Sequence, residues 1–319
     1  MLVKELDKNK AALGVIEPSR TRNKRIVKLW NKNKVALLFL APWLIGITLL
    51  GLIPMFASLY LSFTNYDMFN SPIWNGLENY KHLFTSDIRF IQSLKVTFTY
   101  VLIGVPLQLI MAFSLAVVLN RGVRGLSGFR AIYYVPSLLG PSLAIAILWR
   151  QIFGMEGIIN KFLSLFGITP NSWISDPSTT LYTLIILLIW QFGSPMVIFL
   201  AGLKQIPKDL YESASIDGAG RFTKLFKITI PLLTPIIFFN LVMQLIGAFQ
   251  AFTPAYIIGG QTGGPLDSTL FYTLYLYIKA FTEFQMGYAS AMAWVLLIII
   301  ASFTGLLFLL AKKWVHYES

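Results

Sequence analysis

Residues Lys204–Pro235 read KQIPKDLYESASIDGAGRFTKLFKITIPLLTP. Pro207 suits the first turn of a helix, where its missing N–H removes no bond. Asp209 and Glu212 lie toward the positive end of that helix's dipole. Leu210, Ser213 and Ala214 give the helix a small or apolar surface. Asp217-Gly218-Ala219-Gly220 is a turn, because glycine tolerates positive φ. A second helix follows, with Phe222, Leu225, Phe226 and Thr229 on one stripe at i, i+3, i+4 and i+7. Pro231 and Pro235 then lead into a long apolar run. A plain connecting loop is short, polar and unpatterned. This one is long, sharply turned and apolar along one stripe, which suits insertion into a groove on another protein.

The runs on either side decide the setting. The chain has 319 residues, 56% of them hydrophobic and 13% charged, whereas soluble domains carry about 25% charged residues. A bilayer core about 30 Å thick takes roughly 20 apolar residues at 1.5 Å each. Windows free of Asp, Glu, Lys and Arg give six spans, at about 35–63, 96–120, 131–149, 181–203, 232–256 and 287–311. The fold expected is an all-α polytopic membrane protein, with the cytoplasmic segment 204–231 between spans four and five. Residues 1–34 form a basic cytoplasmic tail and 315–319 a short cytoplasmic end. Ser268–Ile278 is too short to cross and reads as an interfacial helix rich in Tyr, Leu and Phe.

Charge sets the orientation. Of the 26 Lys and Arg, 20 fall in the tail, the second and fourth loops and the C-terminal end; six fall in the other three loops. This asymmetry predicts both termini in the cytoplasm. It also accounts for the net charge of +12 without a nucleic-acid partner. The tail lacks the long apolar core of a secretory signal and suits contact with anionic lipid. With no cysteine, disulfides, thiolate metal sites and thiol nucleophiles are excluded. No Asp, Glu or His falls within a predicted span, and no HExxH or paired carboxylates occur. Ion-coupled transporters and membrane hydrolases need such groups, so the chain is predicted to be neither.

The polar groups within the spans are neutral: Gln108, Gln191, Asn240, Gln244 and Gln250, besides Ser and Thr. Amides suit an uncharged, hydroxylated ligand; they equally suit hydrogen bonding between helices. The run Gln191-Phe192-Gly193-Ser194-Pro195 lies within span four, and broken helices near the midplane mark substrate sites in transporters.

The segment that opens this section resembles the EAA loop of binding-protein-dependent ABC importer permeases. The pattern is matched at Glu212, Ala214, Asp217, Gly218, Ala219, Phe226, Ile228, Pro231 and Pro235; Ser213 stands where the family has Ala. The likeness extends to Asn75-Gly-Leu-Glu-Asn-Tyr80, Tyr134-Val-Pro136, Gly157-Ile-Ile-Asn160, Gly263-Gly-Pro265 and Gly287-Tyr-Ala-Ser-Ala291. It runs from about Val35 to Trp314 and is nearest the F-type subunit of maltose-type sugar permeases.

The resemblance implies a type I importer fold and a non-catalytic subunit in the bacterial cytoplasmic (inner) membrane. It forms a sugar or oligosaccharide pathway with a second homologous permease. Its implied partners are an ATPase dimer, which binds ATP and Mg while this chain binds no cofactor, an extracytoplasmic solute-binding protein and the bilayer. The implied coupling residues are Glu212, Ser213, Ala214, Asp217, Gly218, Ala219, Phe226 and Pro231. Alignment through Glu212, with the amides above, suggests Leu187, Trp190, Gln191, Ser194, Asn240, Gln244 and Ala248 along the substrate pathway. The alternatives are a permease for another solute, such as glycerol phosphate, and an ion-coupled secondary transporter.

Overall fold

The computed structural model describes residues 38–120, 126–140 and 142–315. The predicted tail 1–34 and residues 316–319 lie outside them. The chain forms two compact units, divided between Ser58 and Leu59. In the first, the described part is most of helix α1, Leu38–Leu61, whose middle turn Thr48–Leu52 is π-wound.

The second unit opens with a two-residue hairpin, β1 (Thr64–Asn65) on β2 (Ile73–Trp74), and helix α2 (Glu78–Thr85). The Asn79 side chain donates to the carbonyls of Ser62 and Thr64, both at 2.9 Å, and Tyr80 meets the Ser62 hydroxyl at 2.7 Å. The Asn75–Tyr80 signature thus ties down this corner.

Helix α3, Ile88–Leu119, has 32 residues, about 48 Å at 1.5 Å each. It exceeds the predicted window of 96–120 because Asp87 caps it from outside the apolar run, accepting from Phe90 N at 3.0 Å. A search for charge-free windows cannot see a helical end that carries Arg89 and Lys95.

The third window, 131–149, holds two helices rather than one, α4 (Leu126–Leu139) and α5 (Leu143–Ile152), bent by 99°. The break falls between Leu139 and Leu143, and Ser142 caps α5 through Ile145 N. After the short helix α6 (Ile158–Ser164), span four is likewise divided, into α7 (Thr180–Trp190) and α8 (Gly193–Leu203).

Helix α9, Lys208–Ile216, follows. The next element, α10 (residues 221–249), is one rod: Arg221–Lys224, a π-wound turn Leu225–Thr229, then Ile230–Phe249. The second helix of the predicted helix–turn–helix is therefore continuous with span five. Pro231 lacks the N–H for a regular bond, and the π turn beside it, closed by Ile230 N on Leu225 O, absorbs the mismatch. A short α11 (Thr253–Ile258) and a glycine-rich loop lead to α12 (Tyr272–Tyr277), which runs on through a π turn at Ile278–Thr282; α13 is Met286–Trp314.

The stretch predicted to lie in the interface is instead core. Leu270, Phe271, Tyr272, Leu274 and Tyr275 are all buried. Tyr272 is held at both polar ends, its N–H on the Thr97 hydroxyl at 2.8 Å and its own hydroxyl on the Met292 carbonyl at 2.7 Å. Satisfying the tyrosine between α3 and α13 removes its need for an aqueous interface. Among the described residues five helices are long and apolar enough to cross a membrane, or six if the α4–α5 pair is one bent span.

Candidate functional site

Two places matter, the turn after α9 and the break in span four. Helix α9 ends at Ile216, and the chain reverses through Gly218 at φ +77°. Ala219 N donates to Ala214 O at 2.8 Å and Gly218 N to Ser215 O at 3.1 Å. This pair of bonds is the Schellman motif, which satisfies the last carbonyls of a helix and needs a left-handed residue after the cap. Asp-Gly-Ala is thus a helix stop, with glycine at the one position that demands it.

The turn sets α9 against the base of α10, where the Tyr211 hydroxyl meets that of Thr229 at 2.9 Å and Lys224 Nζ reaches the Ser215 hydroxyl. Glu212, Ser213, Asp217 and Gly218 are exposed, while Ala214, Ala219 and Pro231 are half-buried. The predicted stripe divides: Thr229 is buried and Leu225 half-buried, but Phe222 and Phe226 stand 78% and 63% exposed. With Ile216 and Leu210 also exposed, the segment presents an apolar face to its surroundings.

In span four, Pro195 has no N–H to offer the carbonyl four residues back, that of Gln191. Other helices take its place. Gln108 Nε2 on α3 donates to Gln191 O at 3.1 Å, and the Ser137 hydroxyl on α4 donates to it at 2.9 Å. Ser194 N donates to the Ser137 oxygen at 2.8 Å, closing the network. Gly193 allows the approach, because a Cβ there would lie 2.3 Å from Tyr133 O.

Beside this break is a cavity of about 370 Å³. Of the predicted pathway residues, Gln191, Ser194, Gln244 and Ala248 line it; Leu187, Trp190 and Asn240 do not. Leu187 is 1% exposed, in the core. Trp190 packs on Trp149, ring centres 5.8 Å apart, and Trp149 is itself fixed by donation to Thr183 O. Asn240 is 1% exposed, one turn before Gln244, and its amide atoms have no partner among the described residues. The structure adds Tyr100, Gln108, Ser137 and Gln250 to the lining. Their signal in the sequence was polarity within an apolar window, which does not say which way a side chain faces. Among the described residues, no Asp, Glu, Lys or Arg lines the cavity.

Residues 89–316 match the family described as the binding-protein-dependent transport system inner membrane component. The chain belongs to this family. It is a permease subunit of an ABC importer and so a non-catalytic membrane component. It is 56% identical over 288 residues to the probable ABC transporter permease protein YesP of Bacillus subtilis (strain 168), covering 90% of this chain and 93% of that one. It is 32% identical over 282 residues to the lactose transport system permease protein LacF of Rhizobium radiobacter, covering 86% and 93%. A crystal structure of a bacterial ABC transporter involved in the import of the acidic polysaccharide alginate has a chain of the same fold. The TM-score is 0.79 at 22% identity, over 91% of the permease and 99% of that chain.

Proposed function

We propose that this permease forms the translocation pathway for a sugar or oligosaccharide with a second, homologous permease. An ATPase dimer binding ATP and Mg drives it, and an extracytoplasmic solute-binding protein supplies the substrate. The membrane is the bacterial cytoplasmic membrane, with the tail, the 204–231 segment and the C-terminal end on the cytoplasmic side. One observation carries the substrate reading: the cavity at the break in span four is lined by neutral amides and hydroxyls, with apolar surface between them. Such a lining suits hydroxyl-rich ligands presenting donors, acceptors and C–H faces. The names of relatives support it, among them the lactose permease and an arabinooligosaccharides permease of Bacillus subtilis. A solved alginate transporter of this fold is in complex with a pentasaccharide-bound periplasmic protein, which supports the binding-protein partner.

In this reading Glu212, Ser213, Ala214, Asp217, Gly218, Ala219, Phe226 and Pro231 form the contact with the ATPase. Gln191, Ser194, Gln244 and Ala248 meet the substrate. Driving a two-state gate from 1:99 to 99:1 takes about 5.5 kcal/mol of differential binding, and the ATPase contact must transmit it. The test is ATP hydrolysis by the reconstituted complex of both permeases and the ATPase, with the binding protein and a sugar panel added. Stimulation that needs both sugar and binding protein is expected. Uptake that proceeds without ATP would refute the reading.

A further inference from the structure

Gln108 is 2% exposed and lines the cavity. Its amide orientation is dictated by its partner: a carbonyl, Gln191 O, can only accept, so the amide nitrogen must face it. That leaves Oε1, which has no partner among the described residues. A buried amide oxygen without a donor is strongly disfavoured, and such groups call for a specific explanation. The cavity that Gln108 lines is also lined by Gln191, Ser194 and Gln244 and by the apolar Phe252 and Pro254.

We propose that Gln108 contacts the transported molecule, Oε1 accepting a hydroxyl proton from it while Nε2 keeps its bond to the Gln191 carbonyl. The proposal rests on the sugar-pathway reading and adds a specificity residue on α3, a helix that contributes none of the predicted pathway residues. One side chain then joins a ligand hydroxyl to the break in span four.

The test uses the whole importer in proteoliposomes, with radiolabelled lactose, maltose, trehalose, xylose, arabinose and arabinobiose. The best-imported sugar is compared with its singly deoxygenated derivatives. In the wild type, the derivative lacking the matching hydroxyl falls about 5–30-fold in kcat/KM, the effect of one buried hydrogen bond. In Gln108→Met the same ratio falls to within about twofold of one, because the partner of that hydroxyl is gone. Comparing ratios cancels both recognition by the binding protein and the amount of folded complex. If Gln108→Met does not insert, Gln108→Asn, which draws the amide back by one methylene, carries the comparison. Undiminished discrimination in the Gln108 variants overturns the inference, as does a wild type indifferent to every deoxygenation. A wild type that imports none of the panel refutes the sugar reading and this inference with it.

Discussion

Gly218 offers an ordered test of the proposed coupling segment. At φ +77° an L-residue other than glycine, or to a lesser degree asparagine, is strained by about 1–2 kcal/mol. No atom lies within 4 Å of a Cβ built there, so steric contact adds nothing. Gly218→Ala should keep both closing bonds and lose only that conformational term, which is about 5–30-fold in the population of the capped turn. Gly218→Asn should cost less, because its side chain tolerates the left-handed region. Gly218→Pro cannot adopt positive φ and has no N–H for Ser215 O, so the bond from Ala219 to Ala214 is lost as well. The two carbonyls released are worth about 1–3 kcal/mol together, on top of the altered chain path. Uptake per ATP hydrolysed, measured in proteoliposomes at matched permease content, should fall in the order Gly, Asn, Ala, Pro, with the proline variant inactive yet still inserted. Normal uptake by Gly218→Pro, or Gly218→Ala better than Gly218→Asn, would refute the reasoning.

Gly193→Ala puts a Cβ 2.3 Å from the Tyr133 carbonyl and 2.8 Å from the Ser137 hydroxyl; forcing α8 and α4 apart should lower the complex's melting temperature by several degrees in a thermal-shift assay. Arg89 grips Asp267 through two bonds of 2.9 and 2.7 Å and also donates to Thr262 O. Arg89→Lys loses that fork and should cost about 1 kcal/mol in the same assay, no more, because the pair is partly exposed. Asp87 is held below the usual carboxylate value of 3.8: burial opposes its charge, but hydrogen bonds from Tyr288, Tyr275 and Phe90 N, with Lys279 nearby, outweigh it. A carboxyl made more acidic by folding stabilises fully above about pH 3.8, and that contribution is lost as pH falls through the lower folded value. Acid titration of melting temperature should therefore show a smaller acid-side decline in Asp87→Asn than in the wild type, and parallel curves would refute the assignment.

Spacing and residue type made the turn at Gly218 and the break near Gln191 legible, because glycine and proline act through the backbone wherever they stand. The elements misjudged are those whose fate depends on neighbours. Residues 270–278 carry enough tyrosine to suggest an interface, yet the Thr97 hydroxyl and the Met292 carbonyl satisfy Tyr272 inside the protein. The third window has the length of a span but holds two helices bent by 99°. The first two turns of α3 were missed because their cap and charges lie outside the apolar run. Facing was the least legible property. Gln191, Gln244, Gln108 and Asn240 look alike in sequence, and only three of the four line the cavity. Leu187 and Trp190 are taken up by packing, which alignment by spacing cannot detect.

The break and the turn are linked by one short element. Helix α8 has 11 residues, about 16 Å, and runs from the cavity to within a few residues of α9. At its upper end the Gln191 carbonyl is held by side chains of α3 and α4 rather than by its own helix. A displacement of α9 that reaches α8 must therefore drag those helices or exchange those bonds. Two neutral hydrogen bonds are worth about 1–3 kcal/mol net. That is well under the roughly 5.5 kcal/mol needed to swing a two-state gate, so in the proposed importer they can be exchanged in each cycle. It exceeds thermal energy, so they still fix the break between cycles. A charged pair buried at the same place would be far costlier to separate, which gives the neutrality of this junction a mechanical reason besides the chemistry of the proposed ligand.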